Sequence, residues 1–219
     1  MSRPVKPKEI LLFRRLLLDW IIHNRRDFPW RNPSISNYKK IISEILLQRT
    51  KAETVARFFP VFFNEYSSWK KLASTSLEDL ERVLQPIGLF KQRSTHLKNL
   101  AEAIVIRGSS IPMQREEIEN LPGVGQYVAN AIELLCYGRP QPLLDVNMAR
   151  VLERYFGPRK LADIRYDPYL QKLAHNVVDC EDPVTINFSI LDFAALVCKL
   201  KNPVCDKCVL SRGCVFLND

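Results

Sequence analysis

Four of the chain's six cysteines, Cys198, Cys205, Cys208 and Cys214, fall in one C-x6-C-x2-C-x5-C run near the C-terminus. Sulfur ligands this close in sequence can close around one tetrahedral metal ion or one iron–sulfur cube, and either would dictate how that end of the chain folds. Structural zinc sites pair their ligands at spacings of about two to four residues across a longer gap. Here a single x2 step is flanked by longer loops instead. Ferredoxin spacings are the nearest reference although none matches, so a [4Fe–4S] cluster is the favoured occupant, ahead of zinc and of disulfides. Cys136 and Cys180 read as buried, unligated thiols.

With 219 residues, 47% of them apolar, the chain can bury one large core or two smaller ones. No apolar run reaches the roughly 18 residues needed to cross a bilayer, and the opening MSRPVKPKEI lacks the apolar segment of a signal peptide. The expectation is an intracellular, cytoplasmic protein of the nucleoid, where thiols stay reduced and clustered cysteines bind metal rather than each other. Thirty-two basic against 24 acidic residues leave a formal charge of +8. Four thiolates on a [4Fe–4S] core would add about −2, leaving roughly +6, so a polyanionic partner still suits the balance.

No glycine precedes Gly88, and apolar residues recur at three- and four-residue steps, as in Ile10, Phe13, Leu17, Trp20 and Ile21, then Ile41, Ile42, Ile45 and Leu46. That spacing predicts an all-α fold. Further helices are expected over 51–66, 77–85, 91–107, 115–120, 126–137, 146–156, 168–179 and 184–197. Turn signals separate them at Pro86-Ile-Gly, Pro112, Pro122-Gly-Val-Gly, Gly138-Arg-Pro and Gly157-Pro. Residues 121–125, LPGVG, join a short polar helix to the small-residue helix QYVANAIELL, as in a helix-hairpin-helix. Gly123 and Gly125 remove side chains from the approach to a ligand, so the amides opening the next helix can meet a phosphate. A plain helix-connecting turn has the same composition.

These residues resemble the helix-hairpin-helix DNA glycosylases that carry an iron–sulfur cluster, the superfamily of endonuclease III, adenine DNA glycosylase and mismatch thymine glycosylase. The likeness runs from about residue 25 to 216. It rests on LPGVG, on Asp145 in LLDVNMARVLERYFG 19 residues beyond it, and on the cysteine spacing. DFPWR at 27–31 and SEILLQRT at 43–50 resemble the adenine and mismatch-thymine branches in particular. The resemblance implies a six-helix barrel over 30–139 and a helical cluster domain formed by 1–29 with 140–219.

It also implies roles for residues. Asp145 becomes the carboxylate that stabilises positive charge on the sugar as the N-glycosidic bond breaks. Taken alone, it is an equally good helix N-cap, satisfied through Asn147 or Arg150. At position 127 bifunctional members carry a lysine that forms a Schiff base and leads to strand cleavage. Tyr127 cannot form that imine, so base removal alone is expected. The adenine branch has serine at this position and the thymine branch tyrosine. Glu44 would lie in the base pocket, protonating a purine in one branch or hydrogen-bonding a flipped pyrimidine in the other; without the resemblance it reads as a solvated helix glutamate on the face opposite Ile41, Ile45 and Leu46. Gln48 and Leu89 match the wedge positions that fill the gap left by a flipped base, with Arg49 a candidate for the orphaned partner. Leu121, Gly123, Val124 and Gly125 of the hairpin and Lys199 and Lys201 of the cysteine loop match contacts to DNA.

The chain ends five residues after Cys214. The adenine branch reads the opposite 8-oxoguanine with a further C-terminal domain, so this end, Tyr127 and Arg49 favour thymine over adenine, and the expected enzyme is a monofunctional monomer. It would remove thymine, and uracil, opposite guanine in double-stranded DNA. Adenine excision and a non-catalytic cluster-bearing DNA-binding module are the alternatives.

Overall fold

The computed structural model describes residues 5–218, so the first four residues of the MSRPVKPKEI segment and Asp219 lie outside it. Among the described residues every regular element is helical and there is no strand, as the apolar spacing predicts. The α-helices are α1 (Pro7–Asn24), α2 (Asn37–Leu47), α3 (Ala52–Glu65), α4 (Trp69–Ser74), α5 (Leu77–Leu84), α6 (Phe90–Ile106), α7 (Arg115–Glu119), α8 (Gln126–Tyr137), α9 (Val146–Phe156), α10 (Pro168–Val178), α11 (Pro183–Leu196) and α12 (Val215–Asn218). Helices α3 and α5 to α11 end within one residue of the expected limits. Helix α4 is an addition. It is too short to show a period, and it forms because Ser68 Oγ caps it by accepting from Lys71 N at 3.3 Å while Trp69 and Leu72 bury their side chains.

No described helix is long and apolar enough to cross a membrane. The chain divides into two compact units, one being Asp27–Tyr137 and the other formed by Met1–Arg26 with Gly138–Asp219. The division falls a few residues before the limits expected from sequence, because Phe28 and Trp30 of DFPWR stack at 4.7 Å inside the core of the Asp27–Tyr137 unit.

That core is aromatic, with Tyr38, Phe58, Phe62, Phe63, Tyr66 and Trp69 among its buried members. Helix α2 runs through its middle against α3, α6 and α8. Residues Ile41 to Leu46 are buried without a break, so this half of α2 has no solvent face. Helix α3 tolerates an internal Pro60 because the residue is exposed, which puts the forfeited helical hydrogen bond on the water side.

In the other unit α1 packs on α11 and α10, and α9 packs on α10, α11 and α12. Phe13 is fully buried with its ring 5.0 Å from Tyr155 and 5.1 Å from Phe156. Asp192 on α11 is likewise buried, and Arg26 compensates the charge, with Nε 2.7 Å from Oδ1 and its backbone N–H donating to Oδ2 at 3.0 Å. Arg14 donates to the carbonyls of Asn176, Val177 and Asp179, so the N-terminal helix caps the C-terminal end of α10.

Candidate active site

In the Asp27–Tyr137 unit the fold brings together Glu44 and Tyr127, 83 residues apart. Glu44 lies on the fully enclosed half of α2 and is 3% exposed, which corrects the expectation of a face pointing away from the apolar residues. A carboxylate so placed needs hydrogen-bond partners to offset its lost hydration. Tyr127, the second residue of α8, supplies one, its hydroxyl donating to Oε2 of Glu44 at 3.1 Å. Helix α8 stays against α2 through its small and branched residues Val128, Ala129, Ala131 and Ile132, all buried. The packing of α8 on α2 thus pairs two polar side chains from distant segments.

Immediately before Tyr127 comes the hairpin. The Val124 amide donates to Leu121 carbonyl at 3.1 Å, and Ala129 to Gly125 at 2.9 Å, closing the turn and opening α8. Leu121 and Val124 bury their side chains at 6% and 8% exposure, so what they can offer DNA is backbone. Gly123 and Gly125 are exposed. Gly123 has φ +74, and a Cβ there would lie 3.2 Å from His96, so glycine is needed twice over. Arg115 fixes the polar arm of the hairpin, reaching Asn130 Oδ1 and the buried carboxylate of Glu133, each at 2.7 Å.

Gln48, Arg49 and Leu89 are exposed and line one open pocket of about 170 Å³ together with Gln92, Arg93 and His96. Arg49 has φ 55 and Leu89 φ 51. Both are left-handed, a conformation that costs a non-glycine residue about 1–2 kcal/mol. The sequence reading missed Arg93, which is 4% exposed and donates to carbonyls in both turns. Burial pulls its pKa below the usual guanidinium range.

In the other unit Asp145 caps α9. Its Oδ1 accepts from the amides of Asn147 and Met148, both at 2.8 Å, and its Oδ2 accepts from Asn147 Nδ2 at 2.6 Å. The expected satisfaction by Asn147 is present, while Arg150 touches Asn147 Oδ1 at 3.2 Å rather than the carboxylate. These bonds fix the direction of the Asp145 carboxylate.

Two arginines one turn apart on α9 hold the cysteine loop. Arg150 donates to Cys198 O at 2.8 Å and Ala194 O at 3.0 Å. Arg154 donates to Lys199 O at 2.8 Å and reaches Cys198 Sγ at 3.5 Å, while its own carbonyl accepts from Cys214 Sγ at 3.2 Å. Burial pushes the Cys208 thiol up to about 11, with Cys214, Cys198 and Cys205 adding like-charge repulsion. The Cys214 thiol is raised by the same causes. The four thiols thus share one electrostatic field, although among the described residues no three His, Cys, Asp or Glu side chains are set to hold a metal ion. Gly213 lies within this loop because a Cβ would come 2.6 Å from the hydroxyl of Tyr155. Lys199 and Lys201 are exposed on it. A larger concavity, about 600 Å³, lies among Arg154, Arg159, Leu161 and Phe216, and none of the sequence-predicted site residues lines it.

Residues 42–174 match the model of the HhH-GPD superfamily base excision DNA repair proteins. The chain belongs to this family. Its curated relatives include a thymine-DNA glycosylase of Aeropyrum pernix, 34% identical over 94% of both chains, and a thymine/uracil-DNA glycosylase of Pyrobaculum aerophilum, 37% identical over 93% of this chain and 91% of that one. An adenine DNA glycosylase of Homo sapiens is 30% identical over 94% of this chain, which spans 39% of it. Among solved structures a thermostable thymine-DNA glycosylase superposes with TM-score 0.89 at 32% identity, covering 96% of this chain and 97% of that one. An endonuclease III–DNA complex shares the fold with TM-score 0.84 at 20% identity.

The Tyr127–Glu44 bond yields a direct prediction. Replacing Tyr127 with Phe removes one donor from a buried carboxylate, so Y127F should lose about 1.5–3 kcal/mol, read as a lower urea midpoint at unchanged slope.

Proposed function

We propose that this protein is a monofunctional DNA glycosylase that removes thymine, and uracil, opposite guanine in double-stranded DNA, initiating base excision repair of deaminated 5-methylcytosine and cytosine. The observation that carries this reading is the hydrogen bond from the Tyr127 hydroxyl to buried Glu44, directly after the hairpin turn. A phenol stands where a strand-cleaving enzyme needs an amine, and no Schiff base can form on it. With the Tyr127 hydroxyl donating to Oε2, the Glu44 carboxylate can accept from the imide N–H of a flipped pyrimidine. The likeness to proteins named thymine-DNA and thymine/uracil-DNA glycosylases, over nearly the full length of both partners, supports the same substrate.

Asp145 is assigned to the sugar. Aimed by three hydrogen bonds, its carboxylate opposes the positive charge that develops as the glycosidic bond lengthens, and it can orient the attacking water. Amides at the start of α8 and the exposed Lys199 and Lys201 are assigned to backbone phosphates, which fix position without reading sequence. Gln48, Arg49 and Leu89 are assigned to the gap and the estranged guanine.

Cys198, Cys205, Cys208 and Cys214 are assigned to a [4Fe–4S] cluster. The donor set fits, being four soft sulfurs whose mutual repulsion a metal core would relieve. Bound, the cluster would order the loop that carries Lys199 and Lys201 and add its binding energy to folding.

The substrate reading is tested with duplexes carrying G·T, G·U, A·8-oxoguanine or an oxidised pyrimidine, each assayed with and without alkali. Turnover of G·T and G·U with breaks only after alkali is expected, and it should fall by at least about a thousandfold in Asp145→Asn, the size of loss typical of a central electrostatic group. Breaks before alkali, or activity confined to A·8-oxoguanine, contradict it. Protein purified without oxygen should contain four irons and four sulfides per chain, and Cys205→Ser should lose them together with DNA affinity. One zinc per chain and no iron would overturn the cluster assignment.

A further inference from the structure

Arg93 lies on the first turn of α6 in a stretch, FKQR, that reads as an ordinary basic surface. The residue is instead 4% exposed. One nitrogen, Nη1, donates to the carbonyls of Ile87, at 3.2 Å, and Gly88. The other, Nη2, donates to the carbonyl of Gln48 at 2.8 Å and to Thr50 Oγ1 at 3.0 Å. The Thr50 hydroxyl adds a longer link to Ile87 O, at 3.4 Å. The two turns so joined belong to segments about 40 residues apart, and each contains one left-handed non-glycine residue, Arg49 in one and Leu89 in the other. Ile87 anchors its turn in the core, but Gln48, Arg49 and Leu89 all stand in water, so burial does not fix these three relative to one another.

We propose that Arg93 is a positioning residue that sets the spacing of these two turns, so that Gln48, Arg49 and Leu89 enter the DNA as one rigid wedge. This rests on the assignment of those three side chains to the gap left by the flipped base. The planar fork explains why arginine is present: two N–H groups on opposite nitrogens reach two different turns, whereas the ammonium of a lysine is a single point and cannot bridge both. A shift of about 1 Å in a positioning group can cost about a hundredfold in rate. The wedge is needed only while there is a partner base to displace and accommodate; a thymine opposite an abasic analogue leaves nothing to be kept apart.

The test compares single-turnover excision by the wild type and by Arg93→Lys, a variant that keeps the charge, on two duplexes. One carries G·T and the other thymine opposite a tetrahydrofuran abasic analogue, both with 2-aminopurine beside the thymine to report flipping. The expected result for R93K is a loss of roughly a hundredfold on G·T with a reduced 2-aminopurine signal, against less than about threefold on the abasic duplex. Thermal melting of the variant, within a few degrees of the wild type, establishes that it is folded. Equal losses on the two duplexes, or no loss on either, would overturn the inference while leaving the glycosylase assignment standing. A wild type inactive on both would overturn the substrate assignment and the wedge with it.

Discussion

A carboxylate enclosed by protein has to be held by something, and in this molecule that requirement organises the Asp27–Tyr137 unit. Glu44 sits on a stretch of α2 that has no solvent face, so hydrogen bonds from its neighbours must replace those of water. The Tyr127 hydroxyl is one of those neighbours, and it is delivered by the first turn of α8. That turn in turn depends on a hairpin tight enough to need Gly123 against His96 and on Arg115 reaching the buried Asn130 and Glu133. The hairpin thus fixes the helix that carries Tyr127 to Glu44, beside the amides we assign to a phosphate.

The other unit meets an analogous demand at Asp145. Its oxygens are directed by two backbone amides and by Asn147, and Asn147 is touched by Arg150, which also anchors Cys198. The bonds that satisfy the helix end therefore also aim the carboxylate we assign to the sugar. Arg154 gathers both ends of the cysteine run, so the loop has a protein scaffold to which metal binding would add.

Much of this was legible beforehand, for physical reasons that differ by element. Helices α3, α5, α6 and α8 to α11 were readable because each is long enough to show a 3.6-residue period and is bounded by Pro, Gly or a capping side chain, and five-residue α7 because turn signals at Pro112 and Pro122 enclose it. Helix α4 was not, since two anchors, Trp69 and Leu72, cannot define a period. Glu44, Tyr127 and Asp145 were found by motif, but burial was misjudged at Glu44: the nearly unbroken run Ile41 to Leu46 already signalled a helix enclosed on all sides. Leu121 and Val124 were grouped with DNA contacts, whereas their side chains hold the hairpin to the core. Arg93, Arg115 and Arg154 escaped notice because a buried arginine and an exposed one look identical in sequence; only the convergence of carbonyls and carboxylates distinguishes them.

The central claim is that a phenol–carboxylate pair and an aspartate hydrolyse a glycosidic bond and leave the DNA backbone intact. Mass spectrometry of the products from a G·T duplex tests it most directly. The account predicts free thymine together with a full-length strand carrying one abasic site. A shortened strand ending in an unsaturated sugar, or a covalent protein–DNA adduct trapped by borohydride, would contradict it.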